Sequence, residues 1–483
     1  MILLGHLKIV KQTHLMMFFW SYVMEELAPK LAEYMPKDEV EGFLHSYSRW
    51  IGGEGGFIDF DKVTDVEPDR YYKYEDIRCR EDVHLLRESL DKLAVVKLAG
   101  GLGTSMKCSH AKVTLPVRDG KTFLDLIVEQ LIWINTKYTV SIPLVLMTSF
   151  ATHDELVTAC KKYEGKLNIM FFKQSQYPRV DIETKQPLWE HAGEKCFFCP
   201  PGHGDLILKI KTSGIAQKLF DSGKRMLFVA NSDNLGATVD LKILSLLFGC
   251  EEGQDIEYLM EVTPKTFKDV KGGTLVSLDG KVKLMELAQV DPKHHDEFKS
   301  IERFSVFNTN NVWIRLENLL HLKHPKLDLI LNKKNVHGRD VLQFETAIGS
   351  AISEFEGAGI VVPRKRFLPV KTTNDLMVVQ SDCFDVSEGG FLSLSPLCHQ
   401  IPTVRLGPSF KGVAEFESRF PDGIPSLKFC QFFCVDGDVT IKSPSLKGNI
   451  IIIAEEKEEE EPLVITSPIE NKIIRHGEEC PFF

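Results

Sequence analysis

The 483-residue sequence predicts an α/β fold, a parallel, doubly wound sheet flanked by helices, with a helical arm before it and a small β-helix after it. Three observations predict it. Apolar strand candidates alternate with amphipathic helices from Leu93 to Val262, the stretch from Met24 to about residue 90 carries helical apolar spacing, and past Ser426 the texture changes to short β rungs. The parts are expected at residues 1–90, 91–385 and 386–483.

In the arm, Leu15–Trp20 is apolar and follows two lysines, yet it is too short to span a bilayer, and no small-residue cleavage site follows. Residues 1–23 therefore read as a dispensable extension, with Met24 as an alternative start, and no membrane association is expected. The arm ends in a loop holding Pro68 and Tyr71-Tyr-Lys-Tyr74. Leu93-Ala-Val-Val-Lys-Leu98 is the first strand, and Ala99-Gly-Gly-Leu-Gly-Thr104 follows at once. Thr122 is a helix N-cap with Asp125 three residues on, and Phe123, Ile127, Leu131 and Ile134 share one face. Further strands are expected at Pro143–Met147, Leu167–Phe172, Arg225–Ala230 and Ile256–Val262, with a helix from about Asp154. In such sheets ligands sit beyond the carboxyl ends of the strands. The Gly-rich loop after Leu98 and the pair Asn231/Asp233 fall at two such ends. In the tail, Val435, Val439, Ile441, Leu446, Ile450, Ile452, Val464, Ile469 and Ile473 recur among small and polar residues, which predicts rungs of a β-helix. The run Glu455-Glu-Lys-Glu-Glu-Glu-Glu461 interrupts them as a solvated loop of like charges.

Lys plus Arg total 58 against 68 Asp plus Glu, a formal charge of −10. That balance argues against a nucleic-acid binder, which calls for a basic face, but leaves room for a few lysines around one small phosphate ligand. The 11 cysteines are odd in number and scattered, which in a chain this long predicts reduced thiols and a cytoplasmic protein. Cys196 and Cys199 form the one close pair, and with no second pair nearby they predict no zinc site. His294-His-Asp-Glu297 reads as a solvated loop or helix end, since adjacent side chains diverge.

Gly100-Gly-Leu-Gly103 lets backbone N–H groups approach phosphate, but it is neither GxGxxG nor the P-loop pattern, and a tight turn needing glycine accounts for it equally well. Three further stretches present polar groups. Pro200-Pro-Gly-His-Gly-Asp205 offers an imidazole, Asn231-Ser-Asp-Asn-Leu-Gly236 an amide and a carboxylate, and Lys271-Gly-Gly-Thr274 an open loop.

With Ala99-Gly-Gly-Leu-Gly-Thr-Ser-Met106, Thr122-Phe-Leu-Asp125, Gln174-Ser-Gln-Tyr-Pro-Arg179, Met260-Glu-Val-Thr263, Asp269-Val-Lys-Gly-Gly-Thr274, Phe307-Asn-Thr-Asn-Asn311 and Arg366-Phe-Leu-Pro-Val-Lys371, these stretches resemble the eukaryotic UTP–glucose-1-phosphate uridylyltransferases, or UDP-glucose pyrophosphorylases. The likeness runs in family order over roughly residues 35–475, and Ser105, where broader sugar nucleotidyltransferases tend to carry Arg, favours this branch. The resemblance implies a Rossmann-like, GT-A-like nucleotidyltransferase core with a mixed sheet, and a C-terminal left-handed parallel β-helix through which homo-oligomers can form. It implies reversible conversion of UTP and glucose 1-phosphate to UDP-glucose and diphosphate, with Mg²⁺. By the same resemblance Lys112 and Lys371 are catalytic, neutralising phosphate oxygens with His203, and Asp233 holds the metal. Leu98, Gly100, Gly101, Gln174 and Gly202 would take the nucleotide; Asn231, Gly273, Glu286, Asn308 and Asn310 would take the sugar.

The nucleotide loop departs from the family. Ala99 stands where Asn is usual, Lys107 where Gly is usual, and His110-Ala-Lys-Val113 where Gly-Pro-Lys-Ser is usual. If those glycines sit at positive φ, Lys107 and His110 would each cost on the order of 1 kcal/mol. Two readings follow: a rearranged but active loop in which Lys107 adds a phosphate contact, or a catalytically impaired relative that binds UDP-sugar or a protein partner.

Overall fold

The structure is a computed structural model and describes residues 23–54, 57–194, 196–249, 255–267, 269–323, 325–454, 462–475 and 478–480. The extension before Val23 and the acidic run Glu455–Glu461 lie outside the described residues. Among the described residues, no helix is long and apolar enough to cross a membrane.

Helix α1 (Lys37–Ile51) buries Val40, Phe43 and Tyr47, residues spaced to share one helical face, against Tyr177 and Phe344. Tyr71–Lys73, expected as loop, is instead a short strand, β1. Helix α2 (Val83–Asp91) is capped by Asp82, which accepts from the His84 and Leu85 N–H groups. It delivers the chain into β2 (Leu93–Leu98), whose Leu93 and Val95 pack on one face of the sheet while Ala94 and Val96 pack on the other. Helix α3 (Phe123–Tyr138) opens on the capping box of Thr122 and Asp125. Then come β3 (Leu144–Thr148), α4 (His153–Cys160), β4 (Ile169–Lys173), β5 (Met226–Asn231) and β6 (Tyr258–Pro264), all close to their expected positions. The hairpin β7 (Thr274–Leu278) and β8 (Lys281–Met285) precedes the long β9 (Val306–Arg315), the hairpin β10 (Ile330–Val336) and β11 (Arg339–Glu345), and β12 (Gly357–Val361).

The central sheet has eight strands in the order β1-β12-β6-β9-β5-β2-β3-β4. It is mixed, as the resemblance implies, rather than fully parallel as the strand–helix alternation alone predicts: β9 runs antiparallel to both β5 and β6, while the other neighbours are parallel. The reason is the connection. A parallel return needs a crossover that carries the chain back to the starting end of the sheet, whereas here the β7–β8 hairpin and the short helix His295–Lys299 lead the chain back beside β6 in the opposite direction. β1 completes the sheet by pairing with the edge of β12, Tyr71 opposite Gly359.

Beyond helix α5 (Thr373–Gln380), strand β13 (Thr403–Leu406), helix α6 (Val413–Arg419) and strands β14 (Cys430–Asp436), β15 (Leu446–Ile453) and β16 (Ile469–Arg475) build the tail. β13 to β16 pair parallel in sequence order, and a second parallel pair joins Val439–Ile441 to Leu463–Ile465. The recurring Val and Ile lie on these short parallel strands. Their buried side chains, among them Phe433, Ile450 and Ile452, belong to the same apolar core as Leu124 and Val128 of α3 and Met377 of α5.

Candidate active site

Two cavities lie side by side beyond the carboxyl ends of β2 and β5, and both include Asn231. The smaller, about 290 Å³, is lined by Leu98, Gly100, Gly101, Lys112, Gln174, His203 and Asp233 as well. The larger, about 610 Å³, has Gly273, Glu286, Asn308, Asn310 and Lys371 in its wall, beside Lys271 and Arg364. Gly202 lines neither, but its carbonyl accepts a hydrogen bond from Gln174 Nε2 at 2.6 Å. Residues expected to meet a nucleotide and residues expected to meet a sugar thus separate into adjoining spaces.

In the smaller cavity the backbone comes close to its neighbours. A Cβ at Gly100 would stand 2.9 Å from Gln174 Oε1, and one at Gly202, where φ is +79°, would stand 2.4 Å from the Thr346 carbonyl oxygen. The loop after β2 is held by Ser149 Oγ donating to the Gly100 carbonyl and Thr152 Oγ1 donating to the Ala99 carbonyl. His203 Nδ1 accepts from the Ile348 N–H at 3.0 Å, so the ring carries its proton on Nε2 and is a donor there. Burial, and after it the charge of Lys371, push its pKa down to about 4, so the ring is neutral at physiological pH.

Lys112 Nζ pairs with Asp233 Oδ2 at 2.5 Å. The other carboxylate oxygen, Asp233 Oδ1, is buried and has no hydrogen-bond donor among the described residues. A buried, unpartnered carboxylate oxygen costs free energy unless something cationic meets it. The site therefore fits Mg²⁺, which takes hard oxygen ligands and is commonly held by one or two carboxylates plus substrate phosphates.

The larger cavity is shaped by an irregularity. The pairing of β6 with β9 shifts register between Met260 and Val262, and near it Asn310 adopts a left-handed φ of 59°. Asn308 Nδ2 donates to Asn310 Oδ1 while the Asn310 N–H donates back to Asn308 Oδ1, both at 2.8 Å. The Asn308 N–H donates to the Gly273 carbonyl. Burial pushes the Glu286 carboxyl up to about 7, opposed by the charges of Lys371 and Lys265.

Two predictions arise here. A Cβ at Gly273 would lie 2.5 Å from Glu286 Cδ, so Gly273→Ala displaces that carboxyl. If the larger cavity takes the sugar that the resemblance implies, KM for that substrate rises roughly tenfold with a smaller change in kcat, read from steady-state kinetics. Glu286 binds its proton more tightly folded, at about 7, than its ordinary value of 4.5. Its contribution to stability is present in full below pH 4.5 and is lost as pH rises through about 7. Glu286→Gln should therefore show a shallower fall in melting midpoint than the parent across that window.

Sequence reasoning assigned no role to the network that aims Lys371. Arg366, in the loop that leads to Lys371, pairs with Glu261 in the middle of β6 at 2.6 Å, and both are buried. Trp313 Nε1 and Asn311 Nδ2 donate to the same Glu261 carboxylate. Asn234 Nδ2 donates to the Arg366 carbonyl, and the Leu368 N–H donates to Asn234 Oδ1. The signal was present: a glutamate inside the apolar run Tyr258-Leu-Met-Glu-Val262 needs a buried partner.

The family model described as UTP–glucose-1-phosphate uridylyltransferase matches residues 40–446. The chain belongs to that family. A UTP–glucose-1-phosphate uridylyltransferase of Musa acuminata is 44% identical over 453 residues, spanning 92% of this chain and 96% of its own length. One of Solanum tuberosum is 45% identical over 429 residues, 86% of this chain and 89% of its own. Among solved structures, a mutant UDP-glucose pyrophosphorylase of Leishmania major in complex with UDP-glucose is similar at a TM-score of 0.81 and 30% identity, covering 94% of this chain and 99% of that one.

Against the uridylyltransferase pattern, the altered loop behaves differently at its two bulky positions. Lys107 is left-handed, with φ 51°, as a residue standing at a glycine position should be. His110 is not among the left-handed residues, so it carries no such strain. Lys107 Nζ pairs with Glu415 Oε1 of α6 at 2.7 Å, and neither residue lines either cavity. Glu155 holds the rest of the loop, accepting from the Ala111 N–H and Thr114 Oγ1. Within His294-His-Asp-Glu297, His294 stacks on Phe60 with its Nδ1 3.7 Å from Glu297 Oε2, while His295 Nε2 turns to the Val290 carbonyl.

Proposed function

We propose that the two cavities hold the two substrates of one reaction, in which UTP and glucose 1-phosphate are converted reversibly to UDP-glucose and diphosphate. The observation that supports this reading is the shared residue Asn231, which makes the two cavities neighbours. A phosphate oxygen of glucose 1-phosphate attacks the α-phosphorus of UTP, and diphosphate leaves in line, so no covalent nucleophile is needed. The protein supplies position and positive charge.

The Gln174 amide both donates and accepts, which suits the uracil edge, with Leu98, Gly100, Gly101 and Gly202 closing on base and ribose. Lys112, Lys371 and the His203 Nε2–H face the phosphates. Asn231, Gly273, Glu286, Asn308 and Asn310 offer the mixed donors and acceptors that glucose hydroxyls take up. Asp233 is the residue that would hold Mg²⁺, which when bound neutralises phosphate charge and orients the triphosphate. The same reading has a GT-A-type core over residues 91–385, a left-handed β-helix within 386–483, a cytoplasmic location, and homo-oligomers that form through the tail.

The pairing of Lys107 with Glu415 favours the active over the impaired reading, because it turns the added bulk away from the phosphate-facing Lys112. Steady-state diphosphate release from UTP and glucose 1-phosphate with Mg²⁺ tests it. Turnover is expected, and Lys371→Ala should lower kcat by roughly 10²-fold or more. Binding of UDP-glucose with no turnover by the parent protein would overturn it.

A further inference from the structure

We propose that this chain carries a zinc site outside both cavities, built by His191, Glu194, Cys196 and His337. One ligand atom from each lies within 4.8 Å of all the others. Glu194 Oε2 is 3.3 Å from His191 Nδ1 and 3.4 Å from Cys196 Sγ, and the His191 and His337 rings are 4.9 Å apart between centroids. Ligand atoms around a tetrahedral zinc, with bonds of about 2.0–2.3 Å, stand roughly 3.3–3.8 Å apart, so closure needs side-chain movements of about 1 Å. Two imidazoles, a thiol and a carboxylate form a donor set that suits zinc and is unlike the all-oxygen sets of Mg²⁺ and Ca²⁺.

The close pair in the sequence is not the ligand pair. Cys199 is buried and its thiol donates to the Tyr177 carbonyl, whereas the half-buried Cys196 thiol donates to Glu194 Oε2 and lies with the other three groups. His337 arrives from a distant stretch, at the turn between β10 and β11, where it holds a left-handed φ of 50°. None of the four lines either cavity of the active site. Both strips of chain nevertheless lead there. Cys196 runs on through Pro200 and Pro201 to His203, and β11 leads to Thr346, whose N–H donates to the Pro201 carbonyl and whose carbonyl accepts from the Gly204 N–H. Zinc at the cluster would cross-link the β10–β11 turn to the segment that carries the phosphate-facing histidine, bracing that wall from its outer end.

The test uses the full chain, stripped of metal by a chelator and then titrated with Co²⁺ alone. The parent protein should develop a thiolate-to-cobalt charge-transfer band and the visible bands of tetrahedral cobalt, both removed by added Zn²⁺. Cys196→Ser should lose the charge-transfer band, and His337→Ala, at an exposed turn where misfolding is not expected, should bind Co²⁺ at least tenfold more weakly. Stoichiometric Zn²⁺ should raise the melting midpoint of the parent and not that of His337→Ala. No band in the parent, a band that survives Cys196→Ser, or equal affinity and equal stabilisation in His337→Ala would each overturn the proposal.

Discussion

Asp233→Asn lowers the kcat for diphosphate release by roughly 10³-fold, about 4 kcal/mol of transition-state stabilisation, while leaving the protein folded. The substitution keeps the shape of the side chain and removes its charge. At the wall of the smaller cavity one of the Asp233 oxygens holds Lys112 at 2.5 Å, and the other is buried without a donor among the described residues. Removing the charge takes away the carboxylate proposed to hold Mg²⁺ and leaves Lys112 without its counter-charge. Stability should fall as well, because Lys112, largely buried, loses its charged partner. The measurement is kcat over a range of Mg²⁺ concentrations, with a thermal melt of the same sample. A kcat within tenfold of the parent at saturating Mg²⁺ would mean that Asp233 does not hold the metal.

What was legible beforehand is what short-range pattern encodes. The apolar run Leu93–Leu98, the capping pair Thr122 and Asp125, and the alternation through Val262 place β2, α3 and the parallel strands correctly because each depends on a few neighbouring residues. The antiparallel β9 was not legible, since its place between β5 and β6 depends on the return of a hairpin and not on its own residues. β1 is a strand only because the edge of β12 accepts it. The same division holds at the site. Neighbouring positions such as Gly100 and Asn231 announce themselves as a turn and a strand end, but the nearness of Lys112 to Asp233 or of Glu286 to Gly273 comes from the fold. Composition and spacing alone do not reveal it; the family resemblance brought those residues together. Lys107 shows the limit of resemblance as well: its backbone strain could be foreseen from the family's glycine, but its partner Glu415 lies 308 residues away.

Arg366→Met destabilises the protein by about 3–5 kcal/mol, the cost of leaving a buried partner charge uncompensated. Glu261 is fully buried, and without the guanidinium its carboxylate keeps only the Trp313 and Asn311 donors. Met preserves most of the stem volume, so the loss reports charge more than a cavity. Denaturant unfolding measures it directly, and a change below about 1 kcal/mol would show the pair to be dispensable. The double substitution Arg366→Met with Glu261→Gln should recover a large part of the loss, because the uncompensated charge is then gone. Activity should not recover with it. The Arg366 side chain also reaches Asp240 and the Thr238 carbonyl, and those contacts, with the Asn234 hydrogen bonds to the Arg366 and Leu368 backbone, set where the following residues carry Lys371. A variant that regains stability but keeps a depressed kcat separates the two consequences of one buried ion pair: holding β6 to the loop, and holding the loop's lysine in the wall of the larger cavity.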